Sequence, residues 1–128
     1  MDYRILIVDD SPLLRATARR AVLMAGADPQ NIREADNGLT ALAALREQKA
    51  DVVLLDINMP VMDGFQFAEE KAKDESLADV KVALVTTEGN TRRLQRMTEL
   101  GIEHYLRKPF EPEDLRALVE ELFEEGRS

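Results

Sequence analysis

The chain has 128 residues, and 17 Lys and Arg against 25 Asp and Glu give it a net charge of −8. A chain of this length can bury roughly two thirds of its unfolded surface, and 45% apolar with 33% charged residues describes one folded domain, not a disordered segment. The absence of Cys and the presence of one His exclude disulfides, thiolate catalysis and multi-histidine zinc sites, and the excess of acid repels nucleic-acid phosphates.

Apolar runs alternate with helical patterns along the whole chain. Ile5 to Val8 is a continuous apolar stretch, as expected of a strand covered on both faces. Asp9 and Asp10 end it, Ser11 is a natural N-cap, and Pro12 suits the first helical position. Leu14, Ala18, Ala21, Val22 and Ala25 then follow at helical spacing, and Gly26 supplies the stop. A second, weaker strand is expected over Ile32–Ala35, and Asn37-Gly38 turns it into a helix carrying Ala41, Leu42 and Leu45. Val52–Leu55 is the clearest strand and ends at Asp56. A loop rich in turn residues follows, then a helix over Gly64–Lys73 and a fourth strand over residues 80–85. Thr91–Glu99 reads as the fourth helix and residues 102–107 as the fifth strand. The last helix carries Leu115, Leu118, Val119, Leu122 and Phe123, and the polar tail 124–128 is expected to fray.

Five strand–helix pairs imply a parallel sheet with helices on both faces, since parallel strands need crossover connections. The apolar runs are far too short to span a bilayer, and Asp2 and Arg4 leave no signal-peptide pattern, so a cytoplasmic, membrane-free location is expected.

Ligands of open α/β sheets bind beyond the carboxyl ends of the strands. The residues there are Asp9 and Asp10, then Asp56, Thr86 and Thr87, and Lys108. If their strands are neighbours, three carboxylates, a hydroxyl and an ammonium share one rim. Two like charges about 4 Å apart cost up to about 4 kcal/mol at an effective dielectric near 20, so such a group calls for a cation. Oxygen ligands without His or Cys favour a hard ion, Mg²⁺ or Mn²⁺. The competing explanation, that Asp9 or Asp10 caps a helix, accounts for either alone but not for their alignment with Asp56 and Lys108. A phosphate cradle after the first strand is disfavoured by Asp-Asp, and no P-loop or dinucleotide fingerprint is present. Phosphatases with an Asp nucleophile usually carry a second Asp two residues on, where this chain has Asn58.

Ile-Leu-Ile-Val-Asp-Asp-Ser (5–11), Leu-Leu-Asp-Ile-Asn-Met-Pro-Val-Met-Asp-Gly (54–64), Val-Thr-Thr-Glu (85–88) and Tyr-Leu-Arg-Lys-Pro-Phe (105–110) occur in that order. Together they resemble the receiver domain of two-component response regulators over nearly the whole chain, most of all the stand-alone, CheY-like chemotaxis receivers. The resemblance implies a doubly wound five-stranded sheet of order 2-1-3-4-5 with five helices, in one receiver domain spanning residues 1–128. It implies that Asp56 is the phosphoacceptor, that Asp10, Asp56 and the Asn58 carbonyl ligate Mg²⁺, and that Asp9 acts through a metal-bound water. Lys108 and Thr86 would contact phosphoryl oxygens, Pro109 would follow a cis peptide, and Thr86 and Tyr105 would form a switch remodelling the surface of the fourth helix, fifth strand and fifth helix. The implied partners are a sensor histidine kinase and a downstream target protein such as a flagellar motor or phosphatase, with the chain a monomer and a self-catalysing switch, not an enzyme. The alternatives are a receiver in a non-chemotaxis phosphorelay, a Mg²⁺-dependent phosphohydrolase using Asp56, and a degenerate receiver that binds constitutively.

Simpler readings are expected elsewhere. His104 has no obvious partner and reads as a surface residue, Met59, Met62 and Phe110 as packing, and Arg92, Arg93, Arg96 and Arg107 as a solvated face, with a partner contact as the alternative. Glu120, Glu121, Glu124 and Glu125 read as solvated too. Thr87, Asn58 and Glu88 occupy positions that tune the lifetime of a phosphoryl group in the resembling family.

Overall fold

The computed structural model describes residues 3–127. Its elements run β1 (Ile5–Val8), α1 (Pro12–Met24), β2 (Ile32–Ala35), α2 (Gly38–Glu47), β3 (Val52–Leu55), α3 (Gly64–Lys73), β4 (Lys81–Thr86), α4 (Thr91–Glu99), β5 (His104–Arg107) and α5 (Pro112–Arg127). The strands form one parallel sheet in the order β2-β1-β3-β4-β5. This is the doubly wound, CheY-like arrangement the sequence implied.

Side chains alternate across the sheet and so divide the core in two. Leu6, Val8, Val53, Leu55, Val82 and Leu84 pack with Leu42, Leu45, Phe67 and Met97 on the face covered by α2, α3 and α4. Ile5, Ile7, Val52, Leu54, Ala83 and Val85 pack with Val22, Leu115, Val119 and Phe123 on the face covered by α1 and α5. Strands buried on both faces need no polar alternation, which is why β1 and β3 are apolar throughout.

Three expectations change. Strand β4 begins at Lys81 instead of residue 80, because the Val80 N–H is spent on the Leu77 carbonyl in the preceding turn, and it continues through Thr86. Strand β5 begins at His104 instead of residue 102. The Ile102 N–H donates to the Met97 carbonyl and, with Gly101 at φ 89°, closes the end of α4. An apolar residue that reads as strand is therefore a helix stop. The tail also does not fray at residue 124, since α5 continues to Arg127; Ser128 lies outside the described residues. The Glu125 carboxylate ties that end to the sheet through Lys81 Nζ at 3.2 Å and His104 Nε2 at 3.0 Å.

The loop between β3 and α3 is held by close backbone approaches. The Gly38 N–H donates to the Met62 carbonyl and the Gly64 N–H to the Ile57 carbonyl, both at 2.8 Å. Between them, Val61 sits at φ 68° inside a Pro60 to Met62 turn, a conformation that costs a β-branched residue strain. A Cβ on Gly64 would lie 2.6 Å from the Asp56 carbonyl oxygen and 2.7 Å from Ile57 Cα, and backbone cannot yield as a flexible side chain can. Gly64→Ala is therefore expected to cost about 1–3 kcal/mol in urea unfolding. Val61→Gly, which removes strain of about 1–3 kcal/mol against a smaller entropic loss, is expected to raise the midpoint in the same assay.

Candidate functional site

Strand register builds the site. Val8 lies opposite Leu55 and Leu55 opposite Leu84, so the residues that follow each strand emerge side by side. The Asp56 N–H donates to the Val8 carbonyl at 2.9 Å, and the Lys108 N–H to the Thr86 carbonyl at 2.9 Å. These bonds carry the ladder past the strand ends and fix where Asp56 and Lys108 begin.

The oxygens of Asp9, Asp10 and Asp56 come within 4.8 Å of one another. Lys108 Nζ sits 2.7 Å from Asp9 Oδ2 and 3.6 Å from Asp56 Oδ2, with its side chain only 10% exposed. The Asp9 Oδ1 accepts from the Ser11 N–H at 2.9 Å, and the Asp56 Oδ1 from the Ile57 N–H at 2.8 Å. Both oxygens of Asp9 are thus engaged, whereas among the described residues no hydrogen bond or ion pair engages the Asp10 side chain, which is exposed. The cap of α1 is Ser11, whose hydroxyl accepts from the Leu14 N–H at 3.2 Å, so capping does not explain Asp10.

Behind the carboxylates lies a cavity of about 10 Å³ walled by Leu14, Leu54, Val85 and Phe110, too small for a ligand but apolar enough to desolvate its rim. Burial is the largest influence on Asp56 and raises its pKa above the ordinary 3.8. Lys108 opposes that shift, Asp9 adds to it, and hydrogen bonds from Thr86 and Ile57 oppose it. One ammonium against three carboxylates leaves an excess of negative charge, and an all-oxygen donor set of this kind suits a hard divalent cation.

The other residues singled out from the sequence fall around this cluster. Thr86 is fully buried, and Thr87 and Asn58 are exposed at its mouth. Tyr105 points outward, its hydroxyl donating to the Glu88 carbonyl at 2.6 Å. The Lys108–Pro109 peptide is cis. Met59, Met62 and Phe110 pack against the two cores as expected. His104 is not the partnerless surface residue expected, nor is Glu125 merely solvated, because the two meet across β5 and α5. Arg93 also departs from a solvated face: it pairs with Glu88 at 3.1 Å and lies over the Phe65 ring at 4.7 Å. Glu88 and Arg93 straddle the cap of α4, a spacing without helical periodicity that offered no signal in the sequence.

A raised native pKa means that Asp56 favours the fold while protonated and that this contribution is lost as pH rises through the native value. In EDTA, Asp56→Asn is expected to be more stable than the parent near neutral pH. The gap should close as pH falls toward 3.8. Asp10→Ala is likewise expected to lose no stability in EDTA, and thermal melts across pH check both.

Comparison with known proteins adds the lineage. The family model described as the response regulator receiver domain matches residues 5–120. Chemotaxis protein CheY-3 of Vibrio cholerae is 33% identical over 123 residues, covering 96% of this chain and 93% of that protein. The probable transcriptional regulator ycf29 of Porphyra purpurea is 31% identical over 122 residues, but this chain spans only 57% of its length. The solved structure of chemotaxis response regulator CheY4 of Vibrio cholerae superposes with a TM-score of 0.84 at 30% identity, covering 95% of this chain and 99% of that one. Four acidic and basic side chains gathered at the strand ends of a 2-1-3-4-5 sheet, together with a match over residues 5–120, establish that the chain belongs to the receiver-domain family of two-component response regulators.

Proposed function

We propose that the chain is a phosphorylation-dependent switch in which Asp56 accepts a phosphoryl group from a sensor histidine kinase and a target protein reads the result. The observation that carries this reading is the convergence of Asp9, Asp10 and Asp56 within 4.8 Å of one another, with the Lys108 ammonium against Asp9 and Asp56. An Asp56 oxygen attacks phosphorus, the new O–P bond forms as the donor's P–N bond breaks, and the electron pair stays on the imidazole nitrogen. The Ile57 N–H holds the carboxylate in orientation, and Lys108 lies close enough to neutralise charge on the transferred group. The Thr86 hydroxyl is the donor poised beside Asp56 for a phosphoryl oxygen. Attack by water on phosphorus then restores the carboxylate and releases inorganic phosphate.

The acidic cluster fits Mg²⁺, with Mn²⁺ as a substitute, and when bound the ion supplies positive charge to the phosphoryl oxygens. Asp10, whose side chain has no hydrogen bond or ion pair among the described residues, and Asp56 would hold it directly with the Asn58 carbonyl. Asp9, both of whose oxygens are taken, would act through water. The whole chain acts as one such receiver, and the similarity to chemotaxis proteins of nearly equal length supports chemotaxis-type signalling. Among the described residues no helix is long and apolar enough to cross a membrane.

Intact-protein mass measurement after incubation with acetyl phosphate tests the reading. One phosphoryl adduct is expected with Mg²⁺ and none with EDTA or in Asp56→Asn. Steady release of phosphate at many turnovers per chain would instead support a phosphohydrolase, and no adduct under any condition would leave a constitutive binder. Mg²⁺ is also expected to stabilise the parent by about 2.7 kcal/mol at a hundredfold excess over Kd, and Asp10→Ala should lose that gain.

A further inference from the structure

Asp9 is bonded through every polar group it has, and the side chain of Asp10 through none. The Asp9 N–H donates to the Ala35 carbonyl at 3.1 Å, its Oδ1 accepts from the Ser11 N–H and its Oδ2 from Lys108 Nζ. Its carbonyl accepts from Arg15 Nη1 at 2.7 Å, a short, charge-assisted bond. That carbonyl belongs to the peptide group that carries Asp10. The Asp10 carboxylate is exposed and has no hydrogen bond or ion pair among the described residues, so its direction follows from the backbone alone. Among the described residues, Arg15 is the side chain that grips that peptide.

Arg15 is itself held. Its Nε donates to Glu34 Oε1 at 3.0 Å, and Arg19 Nη1 lies 3.3 Å from the other Glu34 oxygen. Glu34 stands on β2 in register with Ile7 of β1, so the guanidinium is fastened to the sheet as well as to α1. A planar, rigid fork with one N–H on a carboxylate and another on a carbonyl fixes the angle between them. The charge of Arg15 acts the other way: a cation beside an acidic cluster repels a second cation. Geometry and charge at this residue therefore bear on a bound metal ion with opposite signs.

We propose that Arg15 is a positioning residue for the divalent cation: braced by Glu34, it fixes the Asp9–Asp10 peptide and so aims the otherwise unsupported Asp10 carboxylate. This rests on the reading above, in which the acidic cluster takes Mg²⁺. Groups that orient a metal ligand set affinity without touching the ion, and their loss costs about 10- to 100-fold. Mg²⁺ demands near-octahedral geometry and Ca²⁺ tolerates departures from it, so a carboxylate that loses its aim penalises Mg²⁺ more.

Calorimetric titration of the whole chain with Mg²⁺ and, separately, with Ca²⁺ tests this without a phosphoryl donor. In Arg15→Gln the Kd for Mg²⁺ is expected to rise about tenfold and that for Ca²⁺ by less, so selectivity for Mg²⁺ falls. Arg15→Lys keeps the charge and one donor for the Asp9 carbonyl, and should recover part of the loss. Arg20→Gln removes the same charge from an exposed position on α1 with no ion pair among the described residues, and should match the parent. A parent that binds no Mg²⁺, or whose binding survives Asp10→Ala, overturns the metal reading and the role of Arg15 with it. A parent that binds through Asp10, with Arg15→Gln unchanged or tighter, leaves Arg15 as a charge only and overturns the positioning alone. An equal loss in Arg20→Gln also overturns it. So does an equal loss for both ions together with a lower melting temperature in EDTA, which would mean general loosening.

Discussion

The Lys108 ammonium is the contact on which the upper rim of this fold depends. Parallel strands of the order 2-1-3-4-5 bring the ends of β1 and β3 together, and both end in acid. Register alone would leave Asp9 and Asp56 repelling each other behind an apolar wall. Lys108, delivered by β5 from two strands away, sits between them and makes the packed sheet compatible with its own termini. The compensation is partial. Asp56 remains harder to ionise than a free carboxylate, and Asp10 is left with no partner among the described residues. The rim is thus stable enough to fold and short of positive charge, a combination that lends it to binding a cation.

Precision at that rim comes from backbone as well as side chains. The Gly38 and Gly64 contacts draw the β3–α3 loop against the start of α2 and against the Asp56 carbonyl, leaving no room for a Cβ at either position. The strained turn at Val61 lies between these two fastenings and is tolerated because both sides of it are fixed. The carboxylate of Asp56 therefore projects from a backbone held on both flanks, by β1 before it and by the glycine contacts after it.

Much of this was legible in the sequence because the informative signals are local. Each strand is a short apolar run ended by a polar residue, so Asp9, Asp10, Asp56, Thr86 and Lys108 could be placed at the ends of parallel strands, while the strand order that makes those ends neighbours came from the family resemblance. What escaped reading was decided by contacts between distant or aperiodic positions. Ile102 looks like strand because it is apolar, yet its N–H closes α4. His104 and Glu125 are 21 residues apart and Lys81 and Glu125 are 44 apart, so neither pairing leaves a pattern. Arg93 has the composition of a solvent-facing residue, and only the fold puts Glu88 and Phe65 beside it.

The Glu125 junction has a mechanical consequence. It pins the start of β4, the start of β5 and the last turns of α5 into one knot at the amino ends of the strands. The site and the Tyr105 contact lie at the opposite ends. A strand and helix fixed at the bottom and disturbed at the top act as a lever about a fulcrum, so a small motion near the rim tilts β5 and α5 without sliding them. The Tyr3–Phe123 stack lies near the pivot and would stay nearly still, and the largest excursions would fall near the start of α5, toward the rim of Asp9, Asp56 and Lys108.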